Sequence, residues 1–412
     1  MKLSLFTPSN DFRYLGETYN SLLAQPGVDW EWVIVPNGPA QAQQLPDAII
    51  KDDRVRLVPY DKIDCPPKIG ALKKFACKQC QGDAFVELDH DDLLVPGVLT
   101  LVQKRLAAGA GFVYSDTAIF LADKGRWKSE SFGAEWGWED YPFQVYGQAL
   151  LANRCFPVTA RSLCQIFYAP DHIRCWSREA YEKAGGHDAE MLVADDHDLI
   201  CRTYLTGLPF MHTGTAGYLY RRHDENSFMH YNPEVQQGQS ANCDKYLYKL
   251  IDAWTKREQL GYLDLTCKGG RGYKLLETLQ NTPSNSVGCV KAYDVLHFVE
   301  QIAVRQLFQE IYRVLAPDGW LCAYAPSTDG SGGFAPTTQS LWNRNTFRYV
   351  SEQQPWEEWD QPRCKFQLLR AVNEFPADNF RDYNLAYVRA DLVAVKGQRL
   401  PGRIYFSDRQ GV

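Results

Sequence analysis

Phe85-Val-Glu-Leu-Asp89-His-Asp91-Asp92 is an apolar run that closes on four acids among its last six residues. Preceded by Gly82-Asp83-Ala84, it has the length and apolar content of a buried strand, one that delivers Asp89, His90, Asp91 and Asp92 at its carboxyl end. In open α/β sheets, ligands gather at that end. Carboxylates crowded there repel one another unless a cation sits among them, and a hard divalent ion with oxygen ligands answers that need. An ion so held can clamp a diphosphate. The competing reading of the same residues is mechanical: Asp91 and Asp92 cap a helix that starts near Leu93 by accepting from its free backbone N–H groups.

Outward from this stretch, the spacing of apolar residues alternates between strand and helix. Residues 3–8 read as a strand, 14–24 as a helix, and 30–35 as a strand that ends at Pro36-Asn37-Gly38. A helix over 68–80 precedes the acidic strand; a helix over 98–106 and a strand over 112–115 follow it. Such alternation predicts an α/β domain with a mostly parallel sheet covered by helices. Farther on, Asp195, Asp196 and Asp198 open a helix running through Leu205, where acids favour the positive end of the helix dipole.

The chain has 412 residues, room for two or three domains with their own cores. A net charge of -6 argues against a protein that binds nucleic acid chiefly through phosphate contacts. The opening MKLSLFTPSND has an apolar stretch too short for a signal peptide, and no later segment approaches the length of a membrane-spanning helix, so a soluble, cytoplasmic protein is expected. The 12 cysteines are scattered singly through apolar context. Cys77 and Cys80 form a CxxC pair with no second pair to complete a zinc site, so reduced and buried thiols are expected.

Over roughly the first 225 residues, several motifs in order resemble the nucleotide-sugar glycosyltransferases of the GT-A fold, and among them the inverting family 2. Thr7-Pro8 resembles the first-strand turn that meets the nucleotide base, and Asp89-His90-Asp91 resembles the DxD motif. HIRCWSREAYEKAGG, residues 172–186, is similar to the acceptor-side helix with its closing Gly-Gly turn. Ala194-Asp-Asp-His-Asp-Leu199 resembles the ED motif, and Tyr220-Arg-Arg-His-Asp-Glu-Asn-Ser227 resembles the segment whose His adds a metal ligand.

The resemblance implies a role for each residue. Asp89 reaches the donor ribose and the metal, while Asp91 and His223 complete the site of a divalent Mn2+ or Mg2+ that neutralises the departing nucleoside diphosphate. Lys73 or Lys74 assists on the phosphates, unless both belong to a solvated helix face. Asp196 is the base that takes the proton of the attacking acceptor hydroxyl, and a single attack opposite the leaving group inverts the anomeric carbon. The turn after the second strand carries Asn37 where many relatives carry Asp, which alters the hydrogen bonds offered to the donor nucleoside. Trp136 and Trp138 either form an acceptor platform or pin a loop, and the loop over 132–146 is expected to set specificity. The acceptor stays open: a glycan, or, by fold-level analogy alone, a hydroxymethylated base of viral DNA.

Residues 233–260 read as a linker helix with Tyr246, Leu250 and Trp254 on one stripe. Beyond it, a strand at 262–267 leads into Gly269-Gly270-Arg271-Gly272; a strand over 289–295, a helix over 301–315, a turn at Pro317-Asp318-Gly319 and a strand over 320–325 follow. AYDVLHFVEQ, EIYRVLAPDGWLCAYAPS and SLWNRNTFRY resemble the late motifs of a class I S-adenosylmethionine methyltransferase, a Rossmann-like α/β fold. The early part departs from it: the first glycine comes five residues after Asp264, and about 20 residues separate that loop from the next strand, too few for the usual second and third strands. Ala335-Pro336-Thr337-Thr338 also stands where fused relatives of this type carry Asp-Pro-Thr-His. The expected organisation is a glycosyltransferase domain over 1–232, the linker helix over 233–260, and a degenerate methyltransferase-like domain over 261–412 that does not hold S-adenosylmethionine. A bifunctional glycosyltransferase and methyltransferase is the alternative.

Overall fold

The computed structural model describes residues 1–42, 44–60, 68–123, 126–134, 137–166, 169–224, 226, 231–266, 274–351 and 364–397. Its contacts divide the chain into two compact units, Met1–Val158 with Ser162–Leu250, and Thr159–Arg161 with Ile251–Val412.

The first unit is built on strands β1 (Lys2–Ser9), β2 (Asp29–Pro36), β3 (Val55–Leu57), β4 (Ala84–Glu87), β5 (Leu93–Leu94), β6 (Phe112–Asp123), β7 (Arg126–Glu130), β8 (Glu139–Val145), β9 (Gln148–Arg154), β10 (Arg174–Ser177) and β11 (Phe210–Arg221). The sheet runs in the order β3-β2-β1-β4-β10-β6-β11-β5, with β7 and β9 pairing β6 and with β8 pairing β9. Strands β3, β2, β1 and β4 are mutually parallel, whereas β10 lies antiparallel to both β4 and β6. Helices cover both faces, so the central strands read as unbroken apolar runs rather than alternating ones: all of β4 and all of β2 after Asp29 are buried. Leu15, Tyr19 and Leu22 of the helix Leu15–Leu23, at helical spacing, pack with Leu3, Leu5, Trp30 and Trp32, and Val98, Leu99, Val102 and Leu106 of the helix Val98–Ala107 join the same core.

Two expectations are corrected. No helix starts near Leu93: Leu93–Leu94 is a short strand against β11, and the next helix begins only after Gly97 at φ 76, so Asp91 and Asp92 cap nothing. The motif over 172–186 is also not one helix. Ile173, just before β10, and Cys175 within it enter the core, and only Arg178–Lys183 is helical, with the Ser177 hydroxyl accepting from Ala180 N as its cap. It does close on two glycines, Gly185 and Gly186, at φ 82 and 66.

The second unit carries β12 (Gly261–Asp264), β13 (Val287–Tyr293), β14 (Leu315–Pro326), β15 (Phe366–Glu374) and β16 (Tyr387–Ala394) in the order β12-β13-β14-β16-β15. The first three are parallel, and β16 is antiparallel to β14 and β15. Leu275 and Leu279 of the helix Lys274–Gln280, with Leu307, Phe308, Ile311 and Val314 of the helix Val304–Val314, pack on Val290, Leu321, Val388 and Leu392. The expected helix over 301–315 is thus a 3-10 turn, Gln301–Ala303, followed by an α-helix. Pro317-Asp318-Gly319 is a bulge inside β14, with Asp318 at φ 63 and a register shift between Val287 and Cys289, rather than a turn before it. The glycine-rich residues 269–272 lie outside the described residues.

The stripe of Tyr246, Leu250 and Trp254 is buried along the helix Asn232–Arg257. Among the described residues, no helix is long and apolar enough to cross a membrane.

Candidate functional site

The carboxyl ends of β1, β2 and β4 lie side by side, and the acidic turn over 89–92 leaves from the last of them. Thr7 braces this turn. Its hydroxyl donates to Leu88 O at 2.6 Å and accepts from Trp32 Nε1 at 2.7 Å, and the residue is fully buried. Its side chain is therefore a support for the turn. Pro8 and Asn37 are half-buried at the same edge, with Asn37 N donating to Ser9 O at 2.9 Å.

The turn sends its carboxylates in different directions. Asp91 Oδ2 lies 2.8 Å from His223 Nε2 and accepts from Asn226 Nδ2 at 3.3 Å. Arg221 fixes this corner, its Nε donating to Asp91 O and its backbone N to Asp92 Oδ1, both at 2.7 Å. The Tyr14 ring stands 5.5 Å from that of His223 and 4.4 Å from the Arg221 guanidinium. Burial by itself would raise the Asp91 carboxyl; the hydrogen bond from His223, together with the charges of His90 and His223, outweighs it and holds the group below its ordinary value. Burial, with Asp91 and Asp89 close by, pushes Asp92 well above its own.

Asp89 turns the other way. Its N donates to the Tyr218 hydroxyl at 3.0 Å, and its Oδ2 lies 3.6 Å from His172 Nε2. Among the described residues, the trio whose ligand atoms fall within 4.8 Å of one another is Glu87, Asp89 and His172. The expected ligand set of Asp89, Asp91 and His223 is thus divided: Asp91 and His223 meet, while Asp89 faces Glu87 and His172. Burial raises the Asp89 carboxyl, with Glu87 and Asp91 adding to it against His172 and Lys73.

Behind Asp89 lies a buried ionic network. Arg174 is the register partner of Glu87 across β10 and β4, and its Nη1 reaches Glu87 Oε1 at 3.4 Å and Asp196 Oδ2 at 2.5 Å. Lys73 Nζ lies 2.8 Å from Glu87 Oε1 and 3.5 Å from Asp195 Oδ2. Lys73 is buried, so it is neither a solvated residue nor a free phosphate clamp; Lys74 beside it is half-buried. Burial opposes the charge on Glu87, but Lys73 and Arg174 prevail and bring its carboxyl down to about 2.

The helix Asp195–Leu205 forms as expected, and its acids have separate tasks. Asp195 is buried against His187 Nδ1 at 2.9 Å, and Asp198 against Arg202, Lys245 and Tyr246. Asp196 alone of the three keeps its side chain partly exposed, at 23%. Its Oδ1 accepts from His197 N at 2.7 Å and its Oδ2 from Arg174. Burial would raise it, yet Arg174 and then Lys73 hold it far below the usual carboxylate range.

Trp138 is 6% exposed and packs on Phe132 and Phe156, with ring centroids 4.6 and 5.0 Å away, so it pins its loop and offers no acceptor platform. Trp136 lies outside the described residues. Glu87, His172, Arg174, Tyr218 and Arg221 were not singled out by the sequence reading. A charged residue inside an apolar strand run, as at Glu87 and Arg174, is the signal that points to the first and third, because such groups are buried only when paired.

Residues 9–166 match the model of glycosyl transferase family 2, and residues 263–323 match that of a methyltransferase domain. No curated protein matches the chain. Among solved structures it is similar to S. aureus TarS. With TarS 1-349 in complex with UDP-GlcNAc the identity is 16%, covering 76% of this chain and 87% of that one at a TM-score of 0.44. With TarS 1-349 in complex with UDP the identity is 14%, covering 76% and 88% at 0.43. A family 2 glycosyltransferase domain and a methyltransferase-type domain are thus joined in one chain.

Proposed function

We propose that the family 2 glycosyltransferase domain of this chain moves a sugar from a nucleoside diphosphate donor to an acceptor hydroxyl, with inversion at the anomeric carbon and Asp196 as the base. The observation that carries this reading is the fate of Asp195, Asp196 and Asp198. Two are consumed by buried ion pairs, while the third is braced on both oxygens and still reaches solvent. Arg174 and the His197 N–H orient that carboxylate and keep it deprotonated across the physiological range. A carboxylate held so low is a weak base toward a resting alcohol. It accepts the proton as the hydroxyl attacks and turns acidic, which suits a concerted displacement.

Asp91 and His223, hydrogen-bonded at 2.8 Å, supply an oxygen and a nitrogen donor that can turn to a divalent ion at the nucleotide edge of the sheet when that bond is exchanged for ligation. Bound there, Mn2+ or Mg2+ would offset the charge that grows on the departing diphosphate. Arg221 holds both Asp91 and Asp92 in place, and the half-buried Pro8 and Asn37 lie at the same edge, where a nucleoside can be met. Asp196→Asn tests the assignment: kcat should fall about 10²–10⁴-fold, the usual worth of a positioned base, while donor affinity holds. Transfer at the native rate would remove Asp196 from the reaction.

The methyltransferase-type unit is read as a scaffold. Strand β12 is the edge of its sheet, and among the described residues no strand pairs beyond it, so the positions from which a following strand would offer a ribose-binding acid are lacking. Asp264, at the end of β12, is 3.9 Å from Lys291. Saturable uptake of S-adenosylmethionine in a calorimeter would refute the scaffold reading and favour a bifunctional enzyme.

A further inference from the structure

The pairing of Asp91 with His223 leaves another set of donors unexplained. Glu87, Asp89 and His172 each bring a ligand atom within 4.8 Å of the other two. His172 is 5% exposed, and its ring lies flat against Tyr218, with centroids 4.4 Å and planes 15° apart, which fixes where its nitrogens point. His172 Nε2 and Glu87 Oε2 make no hydrogen bond among the described residues, while His172 Nδ1 stands 3.1 Å from Asp171 Oδ1. A buried polar atom left without a partner is destabilising. Ligation would relieve that cost at both residues together.

The spacing fits a shared ion better than a hydrogen bond. His172 Nε2 and Asp89 Oδ2 are 3.6 Å apart, beyond hydrogen-bond length. Two donors about 2.1 Å from one tetrahedral ion stand ~3.4 Å from each other. Glu87 spends its Oε1 on Lys73 and Arg174, and its Oε2 stays available. Charge points the same way: in the network formed by the described residues, Glu87, Asp89, Asp171, Asp195 and Asp196 face the fixed cations Lys73 and Arg174, five carboxylates against two.

We infer that Glu87, Asp89 and His172 form a second cation seat, separate from the one at Asp91 and His223. Two carboxylate oxygens and an imidazole suit Zn2+, a borderline ion, or Mn2+, a harder ion that also accepts an imidazole, better than Ca2+. Arg174 links the seat to Asp196 through a single nitrogen, so a cation here would stand on the side of the base rather than at the diphosphate. The inference rests on the proposed function only in assigning Asp91 and His223 to the donor's ion.

Manganese alone, with the full chain and no nucleotide, tests it. Anomalous diffraction from crystals soaked in Mn2+ should show one peak within bonding distance of Glu87, Asp89 and His172. Spin-resonance titration of His223→Ala should retain that site, whereas His172→Ala should weaken it by about tenfold or more, the loss seen even for residues that only support a ligand. His172→Asn, a smaller disturbance of the stack on Tyr218, should weaken it likewise. A soaked crystal of the unmodified chain with manganese at Asp91 and His223 alone overturns the inference and leaves the proposed function standing. Manganese at the Glu87 trio alone supports the inference and removes the donor ion from Asp91 and His223.

Discussion

In the first unit the buried charges Glu87, Lys73, Arg174 and Asp195 gather around the carboxyl end of β4, whereas the second unit buries the pair Asp391–Arg370 in the middle of β16 and β15. The strand ends of the second sheet instead carry exposed acids: the Asp264 side chain is 42% exposed. Both sheets pay desolvation for ions, yet one arranges them where a parallel sheet meets its ligands and the other where they only join neighbouring strands. The same architectural class thus gathers its buried charges at a strand end in one half and in mid-strand in the other, which is why function has to be read from side chains rather than from topology.

The sharpest way to break this comparison is to remove the arginine from each network. Arg174→Met leaves Glu87 and Asp196 without it, and Arg370→Met takes the nearest cation from the fully buried Asp391; each should cost about 3–5 kcal/mol of stability by denaturant titration. Only the first should also abolish sugar transfer per folded molecule. Equal loss of transfer in both variants would contradict the division of labour.

A smaller effect is expected at Thr7. Thr7→Val leaves Leu88 O and Trp32 Nε1 unpaired in the core, at about 1–3 kcal/mol, and loosens the acidic turn. If Thr7 touched the nucleotide instead, donor affinity would fall with no change in melting temperature.

The smallest effect is in pH dependence. The Glu87 carboxyl is about 2 when folded and 4.5 ordinarily, so its contribution to stability is full above about 4.5 and is lost as pH falls toward 2. Between pH 5 and pH 3, native protein should therefore lose more melting temperature than Glu87→Gln, by a few degrees, at about 2–4 °C per kcal/mol for a unit of this size. Parallel curves would mean that Lys73 and Arg174 do not stabilise its charge.

Much of the scaffold was legible in sequence. The acidic turn declares itself within a few residues, because an apolar run and its terminal acids are contiguous, and the helix over 195–205 does so because its acids sit together at one end. What stayed hidden is pairing across distance. Glu87 and Arg174 are 87 positions apart, each a lone charge in an apolar strand, and only the antiparallel register makes them neighbours. The bracing role of the Thr7 hydroxyl is hidden for a related reason: its position at a strand end is visible in sequence, but the face it presents is not. The division of Asp89 from Asp91 likewise depends on Tyr218 and Arg221, about 130 residues downstream.

Strand β10 runs against its neighbours, so its first residues stand level with the last residues of β4. That single reversal lets a late stretch of chain hand His172 and Arg174 to a pocket whose other wall was laid down by residue 92. The stretch between the two walls supplies β6, the strand that β10 and β11 both pair with, so the late wall takes its place only once the middle of the sheet is complete.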